Sequence, residues 1–484
     1  MTVTGNPRLA LRAIAVIGDG PVGLIAAIAF AMALPQAMVT VIATPDDPAA
    51  LADRLPVAGP RTLAFLATLG IDEPALVAAG ATHRIGERFA WGDAAFTLGT
   101  GEGVPIAAGA ALHQLWLAHG ATGRFEELVP AATLAAAGRF VLPEPDPRSL
   151  LSRIDHGLRI DPVRGRAMLA ARAGAARVAI MPSADLRVER EADVVRAVTL
   201  ADGTRIAADL FIDASGPAAL LAADDGWIDW SAALPVDRLL LTTAAGAPSP
   251  TDVYAAVPAG WTATWPLADH TLTAFAYAGD ITDDAEASHL FGTPADTIAL
   301  HPGRRVRPLV GNVLALGDAA ATVGPLGLPG FALACAHLSL ALDLMPACDP
   351  DPFLIAEYNR RATLQADRLC DHAAAFYHVA PPPGAFWDAA RVRAVPQGLA
   401  VLMAQFRQRG TLPPLEEEMV SRADWTQALL GLGVRPVRAD PIALSVPAAT
   451  ATDALARLRD AIATLPGRLP PYPDYLGMLM RGRA

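Results

Sequence analysis

The chain has 484 residues and contains no lysine, so all 38 of its basic side chains are arginines. No reaction step can therefore use a lysine amine of this chain. A GC-rich genome, which favours codons for alanine, arginine, glycine and proline, is the plain explanation for this composition. The formal net charge is −11 and no basic cluster stands out, which argues against a nucleic-acid partner.

Cysteine and long hydrophobic runs are also scarce. The three cysteines, Cys335, Cys348 and Cys370, form neither a C-x-x-C motif nor a zinc-type spacing with histidine, so no metal site is expected. The longest apolar runs, such as Val22 to Leu34, fall short of the ~20 residues that a membrane span needs. No secretory signal is recognised before the first predicted strand. We expect a cytoplasmic protein with reduced thiols and no membrane partner.

The strongest pattern lies near the N-terminus. An apolar run from Ala13 to Ile17 predicts a buried strand, Leu24 to Leu34 predicts a helix, and Val39 to Ile42 predicts a second strand. Between the first strand and the helix stand three glycines in G-x-G-x-x-G order: Gly18, Gly20 and Gly23. In a strand–helix–strand unit these glycines allow a tight turn, close approach of the backbone to a pyrophosphate, and close packing of helix on strand. The pattern predicts a dinucleotide site, with Pro21 and Val22, just before the predicted helix, among the residues beside the phosphates.

One feature of dinucleotide sites is missing. An acidic residue usually ends the second strand and binds the ribose hydroxyls, but Ala43 stands there, and the nearest carboxylates, Asp46 and Asp47, follow Pro45. We therefore expect the adenosine end of the cofactor to be held loosely or by backbone alone.

Several later segments give the rest of the organisation. A stretch that alternates like a strand, ATHRIGERFAWGD, runs from Ala81 to Asp93, and a β-rich region runs from Leu239 to Tyr277. A strand at Val313 to Leu316 leads into GDAAATVGPLGLPG, and a helix follows from Phe331. The length exceeds one ordinary core, so two intertwined domains are expected.

These motifs resemble, in their order, two-domain flavoprotein hydroxylases and, over more of the chain, the flavin-dependent tryptophan halogenase family. The pieces that carry the resemblance span about 400 residues: LGIDE from Leu69, ADLFIDASG from Ala208, the Gly260–Trp261 pair with Pro266, GPLGLPG from Gly324, YNRR from Tyr358 and AFW from Ala385.

The resemblance implies an α/β fold with a Rossmann-like FAD domain of the hydroxylase and halogenase type. It places that domain at 1–225 and 300–345, a β-rich substrate region at 226–299, and a helical region at 346–484 over the active site. It also implies FAD as cofactor, reduced by a separate flavin reductase, and an aromatic small molecule or aromatic side chain as substrate. Gly317, Asp318 and Gly330 match positions that contact the flavin in the hydroxylases, where the carboxylate binds ribitol hydroxyls.

The halogenating machinery of that family is absent from this chain. In the family, hypohalous acid made at the flavin reaches a lysine beside the substrate, and the corresponding position here is Arg84. A guanidinium with a pKa above ~12 cannot readily act as a neutral amine, although it could hydrogen-bond an oxidant or an anionic substrate. Gly327 replaces the family's glutamate, and Leu328 and Pro329 replace the Ser-Thr pair beside the halide.

The aromatic signature of the family is also reduced. Trp261 remains, Ala263 replaces a second tryptophan, and Trp265 stands at an isoleucine position. Either tryptophan could stack on an aromatic substrate, but aromatics at this spacing are as often part of a core.

These observations leave three functions open. The first is an FAD-binding oxidoreductase of the tryptophan halogenase family that has lost its halogenating residues. The second is a flavin hydroperoxide-type monooxygenase of an aromatic substrate, because that route needs neither lysine nor halide site. The third is a non-catalytic FAD- or ligand-binding protein.

Overall fold

The computed structural model describes residues 9–92, 94–106, 109–222, 226–292, 295–348, 351–379 and 381–482. Within them the helices are α1 Pro21–Ala33, α2 Leu51–Arg54, α3 Pro60–Thr68, α4 Glu73–Ala78, α5 Leu112–Ala118, α6 Pro130–Ala136, α7 Pro162–Ala175, α8 Asp284–Phe291, α9 Gly330–Leu344, α10 Pro352–His378, α11 Ala385–Val392, α12 Gln397–Arg409, α13 Arg422–Gly431, α14 Pro441–Leu444, α15 Ala448–Ala463 and α16 Tyr472–Arg481.

The strands of the same residues are β1 Ala13–Ile17, β2 Met38–Ala43, β3 Val57–Ala58, β4 Thr82–Arg84, β5 Gly86–Trp91, β6 Ala94–Gly99, β7 Gly157–Arg159, β8 Ala179–Pro182, β9 Leu186–Glu191, β10 Val194–Leu200, β11 Arg205–Ile206, β12 Leu210–Asp213, β13 Trp227–Asp229, β14 Arg238–Ala245, β15 Thr251–Val257, β16 Gly260–Pro266, β17 His270–Tyr277, β18 Asp296–Ala299, β19 Gly303–Arg305, β20 Leu309–Val310, β21 Val313–Ala315 and β22 Ala321–Thr322.

The chain folds as two compact units. The first comprises the described residues of Met1–Gly80, Ile160–Trp230 and Leu300–Ala366, and the second those of Ala81–Arg159, Ser231–Ala299 and Asp367–Ala484.

The first unit is built on a six-stranded sheet in the order β20-β21-β12-β1-β2-β8. The strands from β21 to β8 are parallel, and β1 pairs with both β12 and β2, so that Ile17 lies beside Asp213 on one side and Ile42 on the other. Both faces of such central parallel strands are covered, and their sequences are therefore continuous apolar runs. Helix α1 is buried from Pro21 to Phe30, which explains why its sequence is apolar all round rather than amphipathic.

The second unit is built on a seven-stranded sheet in the order β18-β14-β17-β16-β15-β5-β6. Strand β5 runs parallel to β15, and the other pairings in this sheet are antiparallel. Stacked and edge-to-face rings fill part of its core, among them Phe89 against Tyr254 and Trp91 against Trp387.

The expected α/β fold with a helical C-terminal part is confirmed. Strand β1 has the expected limits, whereas α1 begins at Pro21 rather than Leu24, because proline is well suited to the first turn of a helix. The stretch from Ala81 forms two strands, β4 and β5, which are separated by Ile85; Asp93, its last residue, lies outside the described residues. No described helix is both long enough and apolar enough to span a bilayer.

Candidate functional site

The turn after β1 is held by backbone contacts that exclude side chains. Gly18 has a φ of +100°, and a Cβ there would lie within 3.0 Å of the Ala214 carbonyl oxygen. A Cβ on Gly23 would lie within 3.0 Å of the Gly18 carbonyl oxygen, where α1 crosses the turn. The first and third glycines of the motif are therefore required for α1 to pack this closely on the strand ends.

The second glycine has a different neighbour. Gly20 is the N-cap residue of α1, and a Cβ on it would lie within 3.0 Å of the carboxylate of Asp53. An oxygen of this carboxylate, Oδ1, accepts a hydrogen bond from the backbone N–H of Val22 at 2.8 Å. Asp53 thus caps the N-terminus of α1 from a separate short helix, α2, and its carboxyl oxygen faces the positive end of the helix dipole.

Two more polar turns lie at the same edge of this sheet, where the parallel strands β12 and β21 end. Asp213, fully buried at the end of β12, accepts hydrogen bonds from the Oγ of Ser215 at 2.6 Å and from the N–H of Leu221 at 2.6 Å. Asp213 therefore fixes the turn that leads out of its strand. In open α/β sheets, ligands bind in the crevice outside such carboxyl ends.

After β21 the chain forms a short 3-10 turn, Gly317–Ala319, that carries Asp318. This carboxylate is 5% exposed and accepts hydrogen bonds from the N–H of Ala52 at 2.8 Å and from the Oγ1 of Thr322 at 3.3 Å. Burial raises the pKa of Asp318 to about 7, against the opposing effect of the Ala52 hydrogen bond, and the nearby Asp53 raises it further.

The loop before α9 has unusual backbone geometry. Gly327 and Leu328 both have positive φ, at 74° and 55°, and Leu328 is buried. A left-handed conformation is uncommon for a leucine and marks local strain. Gly330 begins α9 and leaves room for Ala52, which would lie 3.3 Å from a Cβ at that position.

Arg166, on α7, is a further charged group of this edge. Its guanidinium donates to the backbone oxygen of Asp19 at 3.0 Å, pairs with the Asp19 carboxylate at 2.6 Å, and pairs with Asp46 at 2.9 Å. Asp19 is the residue between the first two glycines, and Asp46 follows β2. Arg166 therefore ties the glycine turn to the segment after Ala43, where the usual acidic residue is missing.

In the second unit, Arg84 ends β4 and lies in a buried ion-pair network. Its Nε lies 2.6 Å from Oδ2 of Asp252, and its Nη2 pairs with Glu87. Asp252 is fully buried and also pairs with Arg159, which donates to the carbonyl oxygen of His83 at 3.1 Å. The charge of Arg84 is therefore already matched by carboxylates of its own unit.

The charged groups of this network differ in how firmly each holds its charge. Burial alone would lower the pKa of Arg84, but Glu87 and Asp252 outweigh it and hold that pKa above its ordinary value. Burial raises the pKa of Glu87 to about 7, although Arg84 opposes the shift. Burial likewise raises the pKa of Asp424, on α13, to about 6. Arg84 thus stays a cation, and Glu87 is the group of this network that exchanges a proton near neutral pH.

Both tryptophans of β16 are packed inside the second unit. The indole N–H of Trp261 donates to the hydroxyl of Tyr377 at 3.2 Å, and that of Trp265 donates to the hydroxyl of Tyr254 at 3.2 Å. Both rings are at most 1% exposed. Their burial and hydrogen bonds are those of core residues. Contact of either tryptophan with a substrate stays a prediction.

The family comparison agrees with this architecture. The model of the tryptophan halogenase family matches residues 13–448, and the chain belongs to that family. The structure is similar to BrvH, a flavin-dependent halogenase from Brevundimonas sp. BAL3, with a TM-score of 0.90 and 26% identity over 98% of this chain and 100% of the other.

Two further solved structures are similar. A flavin-dependent halogenase from Xanthomonas campestris has a TM-score of 0.89 and 26% identity over 98% of this chain and 99% of the other. A tryptophan 6-halogenase from Streptomyces toxytricini has a TM-score of 0.86, and covers 98% of this chain and 100% of its own, but its 21% identity shows a shared fold alone.

Three site residues were not found by sequence reasoning: Asp53, Arg166 and Asp252. Each acts on a partner at least 31 positions away in the chain, and none belongs to a motif. The sequence has several aspartates after β2, which was the one indication for Asp53, but the pattern does not show which of these carboxylates contacts α1.

The raised pKa of Glu87 generates a stability prediction. A carboxyl group whose folded-state pKa is raised adds stability below its unfolded pKa, and this contribution is lost as pH rises toward about 7. The side chain is 18% exposed, so we expect Glu87→Gln to stabilise the protein at pH 8 by about 1–2 kcal/mol after allowance for solvent screening. At pH 4.5 the gain should vanish.

Thermal unfolding midpoints at the two pH values measure this difference. Glu144→Gln, at an exposed glutamate of the same unit, is the matched control and should shift neither midpoint. A gain for Glu87→Gln that is equal at both pH values would contradict the assigned ionisation.

Proposed function

We propose that this chain binds FAD at the carboxyl edge of the first unit's parallel sheet and acts as an oxidoreductase. We also propose that it does not halogenate by the family's route, which needs a lysine. The observation that carries the proposal is the β1–α1 turn, in which Gly18 and Gly23 leave no room for a Cβ. A tight turn at the first glycine and close packing of the helix at the third are what a dinucleotide-binding turn requires. When bound, FAD would supply the redox chemistry with oxygen.

The residues of this edge fit the proposed cofactor. The N-terminus of α1 would offer backbone N–H groups from Val22 onward, since Pro21 has none, and a positive dipole end to the pyrophosphate. Asp318 would accept hydrogen bonds from sugar-type hydroxyls, and Gly317 and Gly330 border the same crevice. Ala43 gives the ribose no carboxylate, so we expect the adenosine end to be held weakly.

The absence of lysine supports the second half of the proposal. At the family's lysine position stands Arg84, whose guanidinium is paired with Asp252 and Glu87. An amine that captures an oxidised halogen must be able to lose its proton, and Arg84 is held as a cation. Leu328 and Pro329, at the halide positions, offer no hydroxyl, and proline offers no N–H.

Oxygen transfer to an aromatic substrate is the second candidate. It is favoured by the same substitutions, because oxygen transfer needs neither a halide site nor an amine. We propose an aromatic small molecule or an aromatic side chain as the substrate and a separate reductase as the source of reduced flavin, in the cytoplasm. Formation of an oxygenated product without added halide would support this candidate. Tight binding of an aromatic compound without turnover would instead support a non-catalytic binding protein.

The FAD assignment is tested with Gly20→Val. The valine side chain would stand where the pyrophosphate must meet the backbone, and several hydrogen bonds of ~1 kcal/mol or more would be lost, so affinity should fall about 100-fold or more. Flavin fluorescence titration measures the dissociation constant. We expect wild-type binding weaker than nanomolar because the ribose carboxylate is missing.

Gly174→Val is the matched control for this titration. Gly174 lies in α7, where an added Cβ meets no atom within 4 Å, so this variant should bind FAD as the wild type does. Equal FAD affinity of Gly20→Val and wild type would refute the proposed site.

The chemical half of the proposal predicts the outcome of a halogenation assay. With reduced FAD, oxygen and chloride or bromide, free tryptophan should not be halogenated above the rate of free flavin. Loss of one acid–base group alone costs ~100- to 10,000-fold, and here the amine, the glutamate and the halide donors are all replaced. Arg84→Lys should not restore activity. Mass spectrometry detects the product, and regioselective chlorotryptophan that disappears in Gly20→Val would overturn the proposal.

A further inference from the structure

The segment Leu51–Arg54, which forms α2, covers the place where the proposed cofactor's pyrophosphate would lie. Oδ1 of Asp53 accepts the N–H of Val22 at 2.8 Å, and the carboxylate lies against the open side of Gly20. A helix N-terminus that follows a glycine turn binds a phosphate through its first free backbone N–H groups, and the glycine lets the phosphate come close to the backbone. One carboxylate and one phosphate cannot both occupy this position.

We propose that Asp53 is an affinity-setting residue of the flavin site. Leu51–Arg54 is a plug over the N-terminus of α1, and FAD binds as this plug leaves. Asp53 then passes from a half-buried, hydrogen-bonded state to a solvated one and releases a proton. This inference rests on the proposed FAD binding and concerns its regulation by pH.

The same plug also contacts Asp318, the residue proposed to bind the sugar-type hydroxyls of the flavin. The N–H of Ala52 donates to Oδ2 of Asp318 at 2.8 Å, and Gly317 and Gly330 leave space that Ala52 borders. Two adjacent residues of α2 therefore satisfy both the helix N-terminus and the acidic turn. Displacement of the plug frees both sets of groups together, so that the phosphate end and the sugar end of the site become accessible in one step.

The charges around Asp53 do not favour a second anion beside it. From the glycine turn it faces Asp19, from the segment after β2 it faces Asp46, and from the 3-10 turn it faces Asp318. Arg166, on α7, is the cation that faces it, and Arg166 is already paired with Asp19 and Asp46. A pyrophosphate that enters while Asp53 stays in place would meet a surplus of negative charge at short range.

Proton release is a consequence of the burial of Asp53. Burial raises its pKa to about 7, against the opposing effects of the Val22 hydrogen bond and Arg166, and with smaller raising effects of Asp46 and Asp19. In water an aspartate has a pKa of about 3.9. Below pH 7 the plugged state therefore keeps the proton and the open state loses it, so acid favours the plug and FAD affinity rises with pH until about 7.

The test measures FAD affinity between pH 5 and pH 8, by fluorescence titration and by calorimetry in two buffers of different ionisation enthalpy. For the wild type we expect affinity to rise roughly tenfold or more between pH 6 and pH 8, with one proton from Asp53 and a further contribution from Asp318 released per FAD at pH 6. Asp53→Asn keeps the acceptor for Val22 but cannot ionise. It should bind with a smaller pH slope than wild type, release about one proton fewer per FAD at pH 6 because only Asp318 is left to titrate, and be at least about tenfold weaker than wild type at pH 8.

Asp202→Asn is the matched control. It removes the same charge at the Asp202–Gly203 turn of the same unit, where asparagine is an equally good turn residue, and it should follow the wild type at every pH. The inference is overturned if wild type and Asp53→Asn bind FAD with the same affinity and the same pH slope, or if the wild type releases no proton. If neither protein binds FAD at any pH, the proposed function is refuted and the inference with it.

Discussion

The close packing of α1 on the ends of β1 and β12 is the contact on which the first unit depends. It requires glycine at 18 and 23, since a single methyl group at either position would overlap backbone oxygen. It also leaves the first N–H groups of a 13-residue buried helix without intrahelical partners. Buried donors must find acceptors, so the edge of this sheet is committed to holding an anionic or polar group at that position.

In the structure, part of this requirement is met from within the chain. Asp53 accepts from Val22, and Ala52 in turn donates to Asp318. Asp53 is half-buried, and a carboxylate withdrawn from water is costly unless it is hydrogen-bonded and charge-balanced. Arg166 supplies the balancing cation on this edge. Under the proposed exchange, the carboxyl group of Asp53 and the cofactor compete for the N-terminus of α1, and the proton on Asp53 sets how strongly Asp53 is held there.

In the second unit, Arg84 stands where the sequence resemblance implies a lysine, and on that proposal the chemistry available there differs from that of an amine. A lysine can be neutralised by burial and can act as a nucleophile, whereas the planar guanidinium of Arg84 forms ion pairs in fixed directions. Asp252 accepts from both Arg84 and Arg159, so β4, β7 and β15 are joined through one fully buried carboxylate. Removing Arg84, the cation that Asp252 and Glu87 share, would leave carboxylates of the network short of a partner, at a cost of ~3–5 kcal/mol. This makes Arg84 difficult to replace without loss of stability.

Local patterns in the sequence predicted the parts of the fold whose causes are local. The strand at Ala13 and the glycine turn arise from residues that are neighbours in the chain, and family resemblance pointed to Asp318. Contacts between distant segments were not predictable in this way. Helix α2 is only four residues long and has no periodicity to detect, and Asp252 lies 168 positions from Arg84. Likewise, one alternating stretch from Ala81 gave no sign that it would divide at Ile85, whose N–H pairs with the carbonyl oxygen of Pro250.

The central claim is that FAD takes the N-terminus of α1 in exchange for Leu51–Arg54. Hydrogen–deuterium exchange with and without saturating FAD tests it most directly. The account predicts slower exchange at residues 18–24 and faster exchange at residues 51–54 in the same complex. Unchanged exchange at residues 18–24, or slower exchange at both segments together, would contradict it.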